Sequence, residues 1–129
     1  MKNGNCFDWL TFAKKDYDVC NDLLIHQEKY VGIIACHAQQ SAEKAFKAFL
    51  KMHNKEIPKT HNLQYLIRDC FFIDASFAGL QKSALTLNPF SVQTRYPDDL
   101  DIALTYEQTL ELVQHAEKIL KFVTKKINK

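Results

Sequence analysis

The stretch His37-Ala38-Gln39-Gln40-Ser41-Ala42-Glu43-Lys44-Ala45-Phe46-Lys47-Ala48 carries imidazole, amide, carboxylate and ammonium groups within about three helical turns. An ordinary amphipathic helix needs only lysine and glutamate on its outer face, so this mixture is a candidate for more than solvation. At about 100° per residue the apolar stripe centres on Val31, Ala38, Ala42 and Phe49. Gln39 and Glu43 then stand at one boundary of the stripe, four residues apart. His37, Ser41 and Lys44 stand towards the other side, and Gln40 and Lys47 point away from the core. Boundary side chains can reach a groove between helices. The same spacing also fits a solvated face with i,i+4 pairs such as Glu43 with Lys47.

Two further clusters follow. His61 comes after Thr60 at the start of a helical pattern. Helix N-termini offer unpaired N–H groups and favour anions, and a histidine placed there can bind phosphate or exchange a proton. A local capping or packing role is the plainer alternative. Thr94-Arg95-Tyr96-Pro97 sets an arginine beside an aromatic ring and a rigid proline. Arginine offers a planar fork for phosphate, and tyrosine a stacking face and a hydroxyl. The alternative is Arg95 bonding helix-end carbonyls with Tyr96 packed beneath. His26, His53 and His115 show no ligand-like spacing with one another or with carboxylates and read as surface or core-edge residues.

These residues need elements to position them. Leu10, Ala13, Tyr17, Cys20 and Leu24 recur at steps of three and four, which predicts a helix from about Phe7 to Gln27, capped near Asn5. Val31, Ile34, Ala35, Ala38, Ala42, Ala45, Phe46 and Phe49 predict a second, from about Val31 to Asn54, whose alanines allow a neighbour to come close. Past Pro58, Thr60 is the expected N-cap of a helix from His61 to about Phe72, with Leu63, Leu66, Ile67 and Cys70 inward. A short helix over about Ala75 to Leu87 would turn Leu80, Leu85 and Leu87 inward. Pro89 and Pro97 bracket an irregular stretch to Asp101. Thr105 and Gln108 match a capping box for a last helix whose stripe runs through Tyr106, Leu110, Val113, Ala116, Leu120, Val123 and Ile127. Every proline falls between periodic segments, so the expectation is an all-α bundle of four or five antiparallel helices without strands.

Bulk properties narrow the function. The 129 residues are expected to form one domain, 1–129, with a core over about 7–127. A net charge of +2 gives no strong electrostatic case for bulk nucleic-acid binding, and Arg68 and Arg95 are the only arginines. Cys6, Cys20, Cys36 and Cys70 form no CxxC pair, so structural thiols are expected and a zinc site is not. There is no glycine-rich phosphate loop, no HExxH and no nucleophile elbow, which argues against a familiar hydrolase or NTPase. No secretory signal and no apolar run of about 20 residues is seen, so a cytoplasmic protein without cofactor or metal is expected.

Taken in order, His37 to Ala45 on a helix, Pro58-Lys59-Thr60-His61-Asn62-Leu63 opening the next, and Thr94-Arg95-Tyr96-Pro97 in a loop resemble the HEPN family, the higher-eukaryote and prokaryote nucleotide-binding domain. The resemblance spans about Phe7 to Ile127. It implies an up-and-down four-helix bundle with an additional short helix, usually dimeric, and similar to the helical substrate-binding domain or subunit of nucleotidyltransferases. It also implies nucleotide binding, with a purine expected, beside a separate minimal nucleotidyltransferase in a toxin–antitoxin-like pair. Carried onto this chain, the ligand-binding positions are Gln39, Gln40, Glu43, Lys44, His61, Arg95 and Tyr96, with none catalytic. Ribonucleases of the family carry an arginine followed within two helical turns by a histidine. Here neither Arg68 nor Arg95 is followed by a histidine within ten residues. A metal-independent ribonuclease with a rearranged site and a purely structural dimeric adaptor are the alternatives.

Overall fold

A computed structural model describes residues 4–91 and 104–128. Five α-helices make up most of it: α1 (Cys6–Leu23), α2 (Gln27–Met52), α3 (Leu63–Ile73), α4 (Gln81–Leu87) and α5 (Tyr106–Ile127). Short 3-10 turns fill Leu24–His26, Ala75–Leu80 and Asn88–Phe90, and no strand occurs among the described residues. The fold is all-α, four principal helices with α4 as the short addition, and no helix among the described residues is long and apolar enough to cross a membrane.

The caps explain where the helices begin. Asn5 accepts from the Asp8 backbone N–H while Asp8 accepts from that of Asn5, a reciprocal box at the start of α1. Thr105 and Gln108 do the same for α5, as their spacing predicts. Helix α3 departs from expectation. Its cap is Asn62, whose side chain accepts from the Gln64 and Tyr65 N–H groups, and Thr60 instead accepts from the N–H of Asn62. His61 therefore precedes the cap and is not part of the helix.

Helix α2 is the centre of the molecule. Ile34, Ala35, Ala38, Ala42, Ala45, Phe46, Ala48 and Phe49 are sealed from solvent along it, and α1, α3, α4 and α5 all pack against it. Its regular part starts where the periodicity places it, because Tyr30 is non-helical (φ −123°, ψ 20°) and breaks the segment just before Val31. Helices α1 and α2 run antiparallel. Trp9 lies near Lys47, Ala13 bonds Ser41, Asp16 reaches Lys44 and His37, and Cys20 bonds Ile34, so positions rise along α1 as they fall along α2.

Three expectations about orientation are corrected, the first at Tyr106, which heads the predicted stripe of α5 but is exposed in its first turn. Lys47 does not point away from the core; it is buried, because so central a helix has little outer face. Leu85 faces solvent, whereas Leu80 and Leu87 are inward as expected. The segment after α3 opens as a 3-10 turn and becomes α-helical at Gln81, and Leu85 stands about 140° around the helix from Leu80, away from the core.

The connection from α2 to α3 positions the functional region. Helix α2 ends with Asn54 in the left-handed region (φ 58°). The Lys55 N–H donates to the Leu50 carbonyl and the Asn54 N–H to that of Lys51, the paired bonds of a Schellman ending. Asparagine tolerates this conformation better than most residues. The chain then runs back along α2 until His61 stands beside Gln39 and Glu43.

Candidate functional site

Gln39, Gln40, Glu43 and His61 come together in one hydrogen-bonded chain. Gln40 Nε2 donates to Gln39 Oε1 at 3.1 Å, and Gln39 Nε2 donates to the His61 carbonyl at 2.9 Å. Gln39 is wholly enclosed, so its amide is spent on tying the returning loop to α2. His61 Nδ1 lies 2.8 Å from Glu43 Oε1. Glu43 Oε2 accepts from Lys47 Nζ at 3.0 Å, and both side chains are less than a tenth exposed. Lys47 Nζ also lies 5.7 Å from the centroid of the Trp9 ring, within cation–π range. A buried carboxylate is thus matched by one ammonium, and the imidazole backed onto it is a third exposed. No described residue bonds His61 Nε2, and a carboxylate on Nδ1 fixes how the ring presents that second nitrogen.

The α3 N-terminus beside His61 offers less than the sequence suggests. The Leu63 N–H already donates to Asn88 Oδ1 at 2.8 Å, and the next two N–H groups go to Asn62. The first three N–H groups of α3 are thus already taken.

Lys44 belongs to a second, adjacent cluster. Its Nζ donates to Asp16 Oδ2 at 2.7 Å, while His37 Nδ1 lies 2.9 Å from Asp16 Oδ1. The Phe12 ring lies beneath two cations, Lys15 at 5.1 Å and Lys44 at 6.0 Å. Burial by itself would raise the Asp16 pKa, but hydrogen bonds from His37 and Lys44, with their charges, outweigh it and hold the carboxyl below its ordinary 3.8. A folded-state pKa below the unfolded one contributes stability above the unfolded value, lost as pH falls through the folded one. We expect the stability gap between wild type and Asp16→Asn, measured by urea unfolding from neutral pH down to about pH 3, to be full at neutral pH and to shrink below the ordinary carboxylate value. A gap independent of pH would refute this.

Asp16 and Trp9 are contributors that the sequence reading does not single out. Asp16 has a signal: it lies three residues after Ala13 and four before Cys20, squarely on the buried stripe of α1. His115 is a third addition. Its Nδ1 lies 2.8 Å from the Oγ of buried Ser83 and its Nε2 3.4 Å from Glu111 four residues earlier, a carboxylate spacing the sequence reading denies it. This cluster joins α4 to α5. Cys20 and Cys70 are buried with thiols directed at the carbonyls of Ile34 and Phe46. Burial pushes the Cys20 thiol up to about 12 and Cys70 higher still, as inert packing thiols require. Arg95 and Tyr96 lie outside the described residues. A groove of about 760 Å³ between α1 and α5, lined by Leu10, Lys14, Tyr17 and Leu120 among others, contains none of the candidate residues.

The fold is shared with known structures. TT1696 from Thermus thermophilus superposes with a TM-score of 0.72 at 24% identity, covering 98% of this chain and 99% of that one. ST0689, an archaeal HEPN homologue, gives a TM-score of 0.72 at 20% identity over 96% of this chain and 98% of its own. No curated protein matches the chain. The model of the HEPN domain matches residues 7–127, from the first turn of α1 to the last residue of α5. With nearly its whole length so covered, the chain belongs to the HEPN domain family.

Proposed function

We propose that this HEPN chain binds a nucleotide at the surface where His61 meets α2, acting as a homodimer beside a separate minimal nucleotidyltransferase. The observation that carries the reading is the His61–Glu43 pair: a buried carboxylate orients a partly exposed imidazole whose other nitrogen no described residue takes up. Such a ring suits a phosphate oxygen. Lys44 and Arg95 would add positive charge, Tyr96 a stacking face, and Gln40 an amide for base or ribose. Gln39 and Glu43, being enclosed, would act by positioning His61 rather than by touching the ligand.

Calorimetric titration with a panel of purine nucleotides tests this. Micromolar or tighter binding is expected, weakened about tenfold or more by His61→Ala, the scale of a hydrogen bond to a charged group. No heat at millimolar nucleotide would overturn the reading and favour the structural adaptor. Metal-free RNA cleavage abolished by His61→Ala would replace it with a ribonuclease, since an oriented imidazole also serves acid–base chemistry.

A further inference from the structure

The outer face of α3 is unusually apolar for a surface. Tyr65 is 52% exposed and Phe72 76%, and between them lie Arg68 and Asp69. These four are related as i, i+3, i+4 and i+7, so they share one face of the helix. Arg68 lies over the Tyr65 ring at 4.8 Å. Its nearest carboxylate is Asp69, at a loose 3.7 Å between neighbours in sequence. Exposed tyrosine, arginine and phenylalanine in one patch is the composition of an interface centre. Grooves flank the ridge on both sides, one of about 510 Å³ lined by Gln64, Ile67 and Phe77 and one of about 330 Å³ lined by Leu50 and Ile73.

The order of the four residues selects the occupant. Lay a second α3 antiparallel on the first, with a two-fold axis between Arg68 and Asp69. Arg68 then faces the partner's Asp69, and Tyr65 faces the partner's Phe72. Each contact occurs twice, which is what an isologous interface requires. Opposite charges meet at the centre and aromatic rings meet at both ends. An unrelated partner would have no reason to match this symmetry.

We propose that the Tyr65–Phe72 face of α3 is the homodimer surface, formed by two antiparallel copies of α3 with Arg68 paired to the partner's Asp69 and Tyr65 packed on the partner's Phe72. It rests on the homodimer reading above and assigns it a face. The helix has only 11 residues, so the dimer is small and its affinity moderate.

Sedimentation equilibrium of the full chain, from low micromolar to several hundred micromolar, tests it. A concentration-dependent dimer is expected. Phe72→Ser, at a position too exposed to threaten folding, should weaken it about 30-fold or more. Arg68→Asp alone places two carboxylates at each central contact and should do the same, as should Asp69→Arg with two cations. The double exchange Arg68→Asp/Asp69→Arg should restore the dimer, because the two-fold axis brings the swapped charges together again. A dimer indifferent to Phe72→Ser and Arg68→Asp, or not restored by the exchange, would overturn this face alone. A wild-type monomer at every concentration would overturn the homodimer reading with it. Nucleotide binding is scored separately by calorimetry on whichever species forms.

Discussion

Replacing Lys47 by alanine is expected to destabilise the protein by about 3–5 kcal/mol, the cost of leaving a buried charge without its partner. Glu43 sits almost wholly out of water, and the Lys47 ammonium at 3.0 Å is its only full-time cation among the described residues. His61 would remain, but it is exposed enough to hydrate and carries charge only when protonated. The Lys47 ammonium also lies over the ring of Trp9, the single tryptophan of the chain, so its intrinsic fluorescence should change along with the urea midpoint. Removing both charges with Glu43→Gln/Lys47→Met should cost clearly less than Lys47→Ala, because no isolated charge is then buried. A Lys47→Ala protein within about 1 kcal/mol of wild type would mean that the pair is solvated and that His61 has another support.

The second large effect is expected at Phe77. Its ring is fully buried, with ring centroids 4.5 Å away for Phe49, 6.2 Å for Phe46 and 5.0 Å for Phe122. It belongs to a six-residue 3-10 turn, which has little stability of its own. Phe77 is the largest of the buried side chains, with Leu80, Ala84 and Leu87, that hold this segment and α4 against α2 and α5. Phe77→Ala should cost about 3–5 kcal/mol, the usual range for truncating a buried aromatic. Calorimetric or denaturant unfolding measures the total. Faster amide exchange over residues 75–87 than over α1 and α2 would locate the damage. A loss below about 1 kcal/mol, or exchange raised evenly, would show that the turn is held elsewhere.

Phe77 also shows where sequence reading stops. The residues buried along this stretch are Phe77, Leu80, Ser83, Ala84 and Leu87, a regular helical stripe. At about 100° per residue Leu85 falls on the far side of the helix from Leu80 and Leu87, so a reading that takes every leucine as inward misplaces it. For α1, α2 and α5 the periodicity holds, Tyr106 in the first turn of α5 excepted, since long helices packed on one principal core keep a single phase. Their caps are legible for the same local reason: Asn5 and Thr105 need only their own next turn.

The candidate site is legible in its members and not in its wiring. Gln39, Glu43 and His61 can be singled out by type, and the structure puts them in one chain of hydrogen bonds. That Gln39 and Glu43 are enclosed depends on the loop folding back from Asn54, a long-range event that no spacing encodes. Lys47 is misplaced by any reading that takes polarity for exposure. In a helix surrounded by four others, a charged side chain can be inside, provided its counter-charge is there too. Lys44 adjoins Glu43 in sequence, whereas its partner Asp16 comes from another helix.

The same wiring bears on how α1 finds its place on α2. Among the buried residues of the two helices alanine is the commonest type: Ala13 on α1, and Ala35, Ala38, Ala42, Ala45 and Ala48 on α2. Small side chains make a smooth track, which by itself offers little steric resistance to sliding by one turn, about 5.4 Å. What forbids the slip is polar. Moved one turn, Ser41 would lose the Ala13 carbonyl, and Asp16 would be carried away from Lys44 and His37 into the alanine track. The few buried polar groups of this hairpin thus act as the notches of a vernier, selecting one alignment among several that the apolar surface alone would accept.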